Sequence, residues 1–290
     1  MASVPPPSVP LACMRCCVMA WADASPTPSP RIGTPSRPAE VAVSAAARSM
    51  PWVTRMRDSQ ASDPQSGEQS LAMTREVLEQ DRLRSYFERT YPDVPLTSPA
   101  ALTASIREML ASVPEPARGL DGVYLFAYGS LIWNPCVEVA ERHTCRLYGY
   151  HRDFCLKLEH GRGTPESPGL MLALAPGGSC RGVALRVPAA NLERELTLVW
   201  RREMLTGAYQ PRWVRLASDI GTLWGIAFVI NPAHDRYIGR QSDETVIQLL
   251  RTGRGVLGSC REYLDNTVSD LHALGIRDHR LERLQRAVHG

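Results

Sequence analysis

The chain has 290 residues, of which 44% are apolar and 22% charged, values typical of a globular protein with one large or two small domains. Its net charge of +3 is small for this length, and the basic residues form no tract, which argues against a nucleic-acid partner. No apolar run approaches the ~18 residues that would span a bilayer, so we expect neither a membrane segment nor a membrane partner.

The cysteines predict reduced thiols rather than disulfides. Eight cysteines in 290 residues lack the density of a small disulfide-stabilised scaffold. The CMRCC stretch at 13–17 has no second ligand pair at the spacing that a zinc site requires. We therefore expect mostly buried thiols and a cytoplasmic location.

Residues 1–72 differ in composition from the rest of the chain. They are rich in Pro, Ser and Ala and show no hydrophobic periodicity, so burial cannot offset the entropy of ordering them. A secretory signal is disfavoured because prolines precede its apolar stretch and Arg15 interrupts it. We predict that 1–72 is a disordered or artefactual N-terminal extension.

Residues 73–121 predict a helical lead-in to the main domain. A first helix is indicated by apolar residues at helical spacing among charged ones. These residues are Val77, Leu78, Leu83 and Phe87. A second helix is predicted within 98–113, and the Pro- and Gly-rich stretch 114–122 then leads into a domain that spans 122–290.

The domain is predicted to begin with strands and to end with helices. The predicted strands occupy 125–129, 149–158, the two arms of a hairpin over 169–187, and the pair 210–216 and 223–230. The hairpin is assigned from two apolar runs joined by Pro-Gly-Gly-Ser at 176–179. One inserted helix (190–205) ends at Gly207, and three more helices follow Pro232. The elements predict an α+β fold with a curved or closed, mostly antiparallel sheet and flanking helices.

A strand runs directly into a Gly-Ser turn in LFAYGSLIWNP, residues 125–135, and bulky side chains resume at once. The turn could simply close a sheet edge, or its free backbone N–H groups could face a ligand. It is not the GxSxG elbow of hydrolases, because Gly129 precedes Ser130 directly and no helical pattern follows.

The inserted helix places a carboxylate on its apolar face. At roughly 100° per residue, Glu203 falls in line with Leu196 and Val199, whereas Glu193 and Glu195 flank the stripe and are expected to reach solvent. Burial raises the pKa of a carboxylate, which suits a general acid or base near neutral pH. The alternative is a structural Glu203 that leaves the core in the last turn and pairs with Arg162, Arg212 or another base.

The loop GRGTPESPG, residues 161–169, offers a second candidate acid, Glu166. Loops held by a rigid scaffold often carry function, and Arg162 is suited to binding a substrate carboxylate. The alternative is a solvent-exposed connection between two strands.

Several stretches together resemble the ChaC family of glutathione-specific γ-glutamylcyclotransferases. The resemblance rests on LFAYGSLIWNP, GYHRDFCLKLEHGRGTPESPG, GGSCRGVALRV, WRREMLTGAYQPRWV and GSCREYLDNTVSDLHALGI, which occur between residue 123 and the C-terminus. It implies a small mixed β-barrel with flanking helices and conversion of glutathione to 5-oxoproline and Cys-Gly, without cofactor or metal. Ala127 departs from the family pattern, which often has Gly at that position.

The resemblance also implies roles for particular residues. Glu203 stands four residues before Gly207-Ala208-Tyr209, the position of the family's catalytic glutamate, and so becomes the expected base in preference to Glu166. The expected substrate-binding residues are Leu125, Phe126, Ala127, Tyr128, Gly129, Ser130, Leu131, Arg162 and Tyr209. Two alternatives remain open, a non-catalytic binding or regulatory protein and a cyclotransferase that acts on other γ-glutamyl compounds.

Overall fold

A computed structural model of the protein describes residues 71–290. Of the predicted N-terminal extension, residues 1–70 lie outside the described residues. The remaining chain contains eight α-helices and seven strands within the described range.

Helices precede, interrupt and follow the sheet. The α-helices are α1 (Arg75–Glu79), α2 (Arg82–Thr90), α3 (Pro99–Ala111), α4 (Ser130–Trp133), α5 (Leu192–Glu203), α6 (Asp243–Thr252), α7 (Cys260–Ala273) and α8 (His279–His289). Serine side chains at 98, 242 and 259 accept hydrogen bonds from the first turns of α3, α6 and α7, as expected for N-cap residues. The single predicted helix near residue 80 is in fact two, since Asp81 adopts a φ of 49° between α1 and α2.

Five strands close into a barrel. The strands of the barrel are β1 (Val123–Ala127), β2 (Glu141–Leu158), β3 (Gly169–Val187), β4 (Tyr209–Ser218) and β5 (Gly221–Ile230). Their order is β1-β3-β2-β4-β5, and β1 pairs in parallel with β5 to complete the closure. The other neighbours are antiparallel except for one parallel β3–β5 contact. The predicted mixed, mostly antiparallel barrel with flanking helices is therefore confirmed. Two short strands, β6 (Arg254–Gly255) and β7 (Gly258–Ser259), form a separate ribbon.

The hairpin predicted within 169–187 is wrong. These residues form one continuous strand, β3, which pairs along its length with β2. The Pro-Gly-Gly-Ser stretch lies in that strand, where Tyr148 pairs with Ser179 and Tyr150 pairs with Pro176. One more residue lies between the pairs on β3 than on β2, so the two glycines form a bulge rather than a turn. The prediction also began β2 too late, at 149 rather than at Glu141.

The inserted helix α5 seals the core of the barrel. Leu196, Val199 and Trp200 are fully buried, and the Trp200 ring meets Phe228 edge to face at 5.0 Å between centroids. Burial of such side chains contributes about 1.5–3 kcal/mol each. The predicted apolar stripe of this helix is therefore the face that fixes where Glu203, its last residue, is held.

Glu195 is buried, so the prediction that it reaches solvent is wrong. Its side chain is 0% exposed, and it accepts two hydrogen bonds from the Arg75 guanidinium, at 2.7 and 2.6 Å, and one from the Glu138 N–H at 2.8 Å. Burial acts to raise the pKa of Glu195, but these donors outweigh it and hold the pKa below its usual value. The ion pair between Arg75 and Glu195 connects the lead-in to α5. Helical spacing could not predict this ion pair, because its two residues are far apart in the sequence.

The cysteines of the described region are free thiols, and four of the five are buried. Over residues 71–290, no helix combines the length and the apolar character that crossing a membrane would require.

Candidate active site

A cavity of about 120 Å³ opens where α5 ends and β4 begins. It is bordered by side chains from the barrel, from the loops that follow β2 and β5, and from α2, α4 and α7. The polar and charged residues that line it are Ser130, Asn134, His160, Arg162, Arg202, Glu203, Thr206, Tyr209, Arg236 and Tyr263. This cavity is smaller than the ~300–1,000 Å³ pockets that enclose whole drug-sized ligands.

Glu203 is the single carboxylate among the described residues that line this cavity. Its side chain is 12% exposed, and its Oε1 lies 3.1 Å from Nε of Arg202. Burial raises the pKa of Glu203, and the positive charge of Arg202 opposes that rise. A carboxylate with a raised pKa can accept a proton and return it near neutral pH.

Three tyrosines surround this carboxylate and stay protonated. Burial raises the pKa of Tyr128, Tyr209 and Tyr263, and the negative charge of Glu203 adds to the effect. The Tyr128 hydroxyl donates to the Phe228 carbonyl at 3.1 Å. The Tyr209 hydroxyl donates to the Leu172 carbonyl at 2.9 Å, so toward a ligand its oxygen acts as an acceptor.

Three guanidinium groups line the same cavity, at Arg162, Arg202 and Arg236. Arg162 donates to the Ser259 carbonyl at 3.0 Å and lies 5.5 Å from the centre of the Tyr263 ring. His160 is held toward its neutral form because burial, aided by the charge of Arg236, lowers its pKa. The cavity thus joins three fixed cations to one carboxylate, an arrangement that favours a ligand with a net negative charge.

The Gly129-Ser130 turn ends β1 and starts a single helical turn, α4, which the sequence pattern did not predict. Gly129 is the N-cap residue of α4, with φ −142° and ψ −128°. A side chain has little room at this position, since a Cβ there would lie 2.7 Å from the Tyr263 hydroxyl oxygen. The Ile132 N–H of this turn donates to the Gly129 carbonyl at 2.9 Å. The first N–H groups of a helix have no carbonyl partner within it, and Ser130, the first residue of α4, lines the cavity.

The predicted site residues divide into two groups. Four of them line the cavity together: Ser130, Arg162, Glu203 and Tyr209. The other six are buried in β1 or beside it and support the turn rather than line the cavity: Leu125, Phe126, Ala127, Tyr128, Gly129 and Leu131.

The structure distinguishes the two candidate acids, Glu166 and Glu203. Glu166 is exposed and does not line the cavity, whereas Arg162 of the same loop turns inward. Arg212 is exposed and donates to Gln210. The charged partner of Glu203 is neither Arg162 nor Arg212 but its neighbour Arg202.

Arg202, Arg236 and Tyr263 are cavity residues that the sequence interpretation missed. Arg202 directly precedes Glu203 in the sequence, and this adjacency could have indicated that it lies near the cavity. Arg236 follows β5, and Tyr263 lies on α7. Barrel closure and helix packing bring these two to Glu203, and no local pattern could have indicated it.

A second cavity, of about 380 Å³, lies elsewhere and carries no acidic side chain. Among residues 71–290, no group of three or more His, Cys, Asp or Glu side chains could hold a metal ion.

Within residues 71–290, fold and site together define an α+β barrel with a cavity that is lined by one carboxylate and three guanidinium groups. The family model described as ChaC-like protein matches residues 123–290. The chain belongs to this family, and the resemblance predicted from its motifs is confirmed.

Curated relatives carry names that agree with this assignment. The chain is 43% identical over 182 residues to the glutathione-specific γ-glutamylcyclotransferase of Escherichia coli strain K12, a match that covers 62% of this chain and 77% of that protein. It is 26% identical over 182 residues to the human glutathione-specific γ-glutamylcyclotransferase 1, with 61% and 79% covered.

Solved structures share the fold. A selenomethionine-labelled yeast γ-glutamyl cyclotransferase specific to glutathione superposes with a TM-score of 0.55 at 18% identity, over 59% of this chain and 96% of that chain. At that identity the likeness shows the barrel architecture alone.

Proposed function

We propose that this protein degrades glutathione by intramolecular γ-glutamyl cyclotransfer and releases 5-oxoproline and Cys-Gly. The observation that carries the proposal is Glu203, a largely buried carboxylate with a raised pKa in a cavity that it shares with three guanidinium groups. The names of the relatives with 43% and 26% identity support this reaction.

The charges of the cavity complement those of glutathione. The tripeptide carries two carboxylates and one ammonium group, and the cavity offers three guanidinium groups and one carboxylate. Guanidinium groups bind carboxylates through paired, charge-assisted hydrogen bonds. We assign Arg162 to a carboxylate of the substrate, and Glu203 with the Tyr209 oxygen to its ammonium group.

The reaction needs no external nucleophile. The α-nitrogen of the glutamyl group attacks its own γ-carbonyl carbon, a C–N bond closes the five-membered ring, and the C–N bond to cysteine breaks. The ammonium group loses two protons and the departing nitrogen gains two, so Glu203 accepts and returns each proton and is regenerated. Holding the reacting groups in a near-attack geometry supplies much of the barrier reduction in such intramolecular reactions.

Charge develops on the carbonyl oxygen during the attack. A donor placed at that oxygen typically contributes a factor of 10²–10³ in turnover. The Tyr263 hydroxyl lies beside the Gly129-Ser130 turn, and its raised pKa keeps it protonated. We assign the oxyanion to the N–H groups of this turn, with the Tyr263 hydroxyl beside them.

A non-catalytic binding or regulatory role is less well supported. A binder of anions would gain nothing from a buried Glu203, because burying a carboxylate costs free energy unless it is compensated. The relatives matched over most of their length bear the names of enzymes.

The decisive experiment incubates the purified protein with glutathione and follows Cys-Gly and 5-oxoproline together. Equal release of both products is expected, without added metal or cofactor. γ-Glutamyl-alanine serves as a second substrate and tests the alternative of a broader cyclotransferase. Binding of glutathione without release of either product would overturn the proposal in favour of a binding protein.

The pH dependence of turnover should reflect the ionisation of the Glu203 carboxyl group. The base acts in its deprotonated form, so kcat falls as the pH falls through its pKa. Since burial raises that pKa, the acidic limb of the kcat profile should lie above the ordinary carboxylate range. Arg202→Met removes the opposing charge and should move the limb to still higher pH, whereas Glu166→Gln should leave it in place. A limb that stays fixed in Arg202→Met would contradict this assignment.

A chain that begins at Met73 should keep full folding and activity. Residues 1–72 lack a core-forming pattern. Among contacts of the described residues, the truncation removes the hydrogen bonds from the Leu71 N–H to the Val256 carbonyl and from the Thr74 N–H to the Ala72 carbonyl, about 1 kcal/mol each, and the packing of Leu71 against the apolar cluster of α1 and α2. Thermal unfolding and Cys-Gly release of the shortened chain test this, and loss of solubility or turnover would disprove it.

We further propose a cytoplasmic location. Its support is the free state of the five cysteines in residues 71–290, because thiols persist in reducing compartments. Fractionation of cells that produce the protein would test this.

A further inference from the structure

Helices that precede the family domain form one wall of the cavity. The family model begins at residue 123, yet Met73, Leu83 and Phe87 line the cavity together with Glu203. Leu83 and Phe87 lie on α2 and belong to a small apolar cluster with Leu198 and Leu205. The polar lining of the cavity therefore comes from the family domain, whereas three of its apolar side chains come from the lead-in.

The lead-in is fixed to the segment that carries Glu203. Arg201 donates to the Leu78 and Glu79 carbonyls at 2.8 and 2.9 Å. At the other end, Thr97 donates its N–H to the Leu205 carbonyl and its hydroxyl to the Met204 carbonyl, both at 2.8 Å. These bonds hold the wall on both sides of the catalytic carboxylate.

Contacts with two further parts of the chain complete the attachment. The Asn134 side chain donates to the Met73 carbonyl at 2.7 Å. The Tyr91 ring lies 4.1 Å from that of His160, centroid to centroid. The lead-in is thus attached to the site at several points, and these contacts hold Met73, Leu83 and Phe87 in place at the cavity.

One part of glutathione matches this wall. The glutamyl end carries an ammonium and a carboxylate, and the glycine end carries a carboxylate, so both ends suit the guanidinium and hydroxyl side of the cavity. The cysteine side chain between them is the least polar part of the molecule. A thiol packs favourably against the thioether of Met73 and the ring of Phe87.

We propose that Met73, Leu83 and Phe87 bind the cysteine side chain of the substrate and set the preference for the group that leaves. This inference rests on the proposed function. It makes the lead-in a specificity element for the departing dipeptide, separate from the recognition of the γ-glutamyl group.

The test compares kcat/KM for glutathione with that for γ-Glu-Gly-Gly, which lacks the central side chain. The unaltered protein should favour glutathione, and Leu83→Ala and Phe87→Ala should each reduce that ratio by about tenfold, since apolar pocket contacts discriminate by roughly 10–200-fold. The ratio is measured on one preparation, so a variant that is partly unfolded still gives a valid value.

Leu78→Ala is the matched control. Leu78 is 1% exposed in the same apolar cluster but does not line the cavity, so its loss should lower stability and leave the ratio unchanged. A ratio that is unchanged in both Leu83→Ala and Phe87→Ala, in a protein that turns over glutathione, would overturn this inference alone. Absence of turnover by the unaltered protein would overturn the proposed function and this inference with it.

Discussion

Glu203→Gln should reduce the turnover of glutathione by roughly 10²-fold or more, the usual contribution of a general acid–base group. The amide keeps the size of the carboxylate but cannot accept the proton of the substrate ammonium. The loss should appear in kcat, since the other groups assigned to binding are unchanged. Release of Cys-Gly under saturating glutathione measures the effect.

The control is Glu166→Gln, which changes an exposed carboxylate outside the cavity. We expect near wild-type turnover from this variant. A larger loss in Glu166→Gln than in Glu203→Gln would move the catalytic role to the loop 161–169.

Stability gives an independent readout for Glu203→Gln. Because burial raises the pKa of Glu203 in the folded state, the carboxyl group binds a proton more tightly when folded than when unfolded. Its contribution to stability is present below the unfolded pKa and is lost as the pH rises through the folded pKa. At neutral pH the amide should therefore be neutral or stabilising, and unfolding midpoints at pH 5 and pH 8 would show whether the difference grows with pH.

The sequence predicted the local parts of the fold and site. Leu196 and Val199 define a helical stripe that carries Glu203, and helical spacing is a property of adjacent turns. The Gly-Ser turn was likewise visible because a strand, a turn and a resumed apolar run lie within eleven residues of each other.

Properties set by distant contacts were not predictable in this way. Glu195 is buried because Arg75 of the lead-in pairs with it, and Tyr263 reaches the turn because α7 packs against α4 and the barrel. The two glycines of β3 form a bulge because β2 pairs along both sides of them. The same residues would have formed a turn had the two arms paired with each other.

Gly129→Val should raise KM for glutathione by about tenfold or more, a loss of about 1.4 kcal/mol in binding. The expected effect is steric, because a side chain at position 129 would meet the side chains packed against the turn. A Cβ at this position would lie 2.7 Å from the Tyr263 hydroxyl oxygen and 3.9 Å from a methyl group of Leu172. The valine must displace the Tyr263 hydroxyl and with it the side of the cavity next to Ser130. KM from initial rates, with thermal unfolding to confirm the fold, measures the change.

A double-mutant cycle identifies the cause of that effect. Gly129→Ala introduces the Cβ alone. Tyr263→Phe removes the hydroxyl that this Cβ meets and leaves the Cζ atom of the ring at 3.8 Å, an ordinary van der Waals distance. If the clash with the hydroxyl is the cause, Gly129→Ala should raise KM in the Tyr263 protein and have little further effect in Tyr263→Phe, a coupling that the cycle isolates. Equal effects of Gly129→Ala in both backgrounds would instead place the crowding between residue 129 and the substrate. An unchanged KM in a well-folded Gly129→Val protein would remove the turn from the binding site altogether.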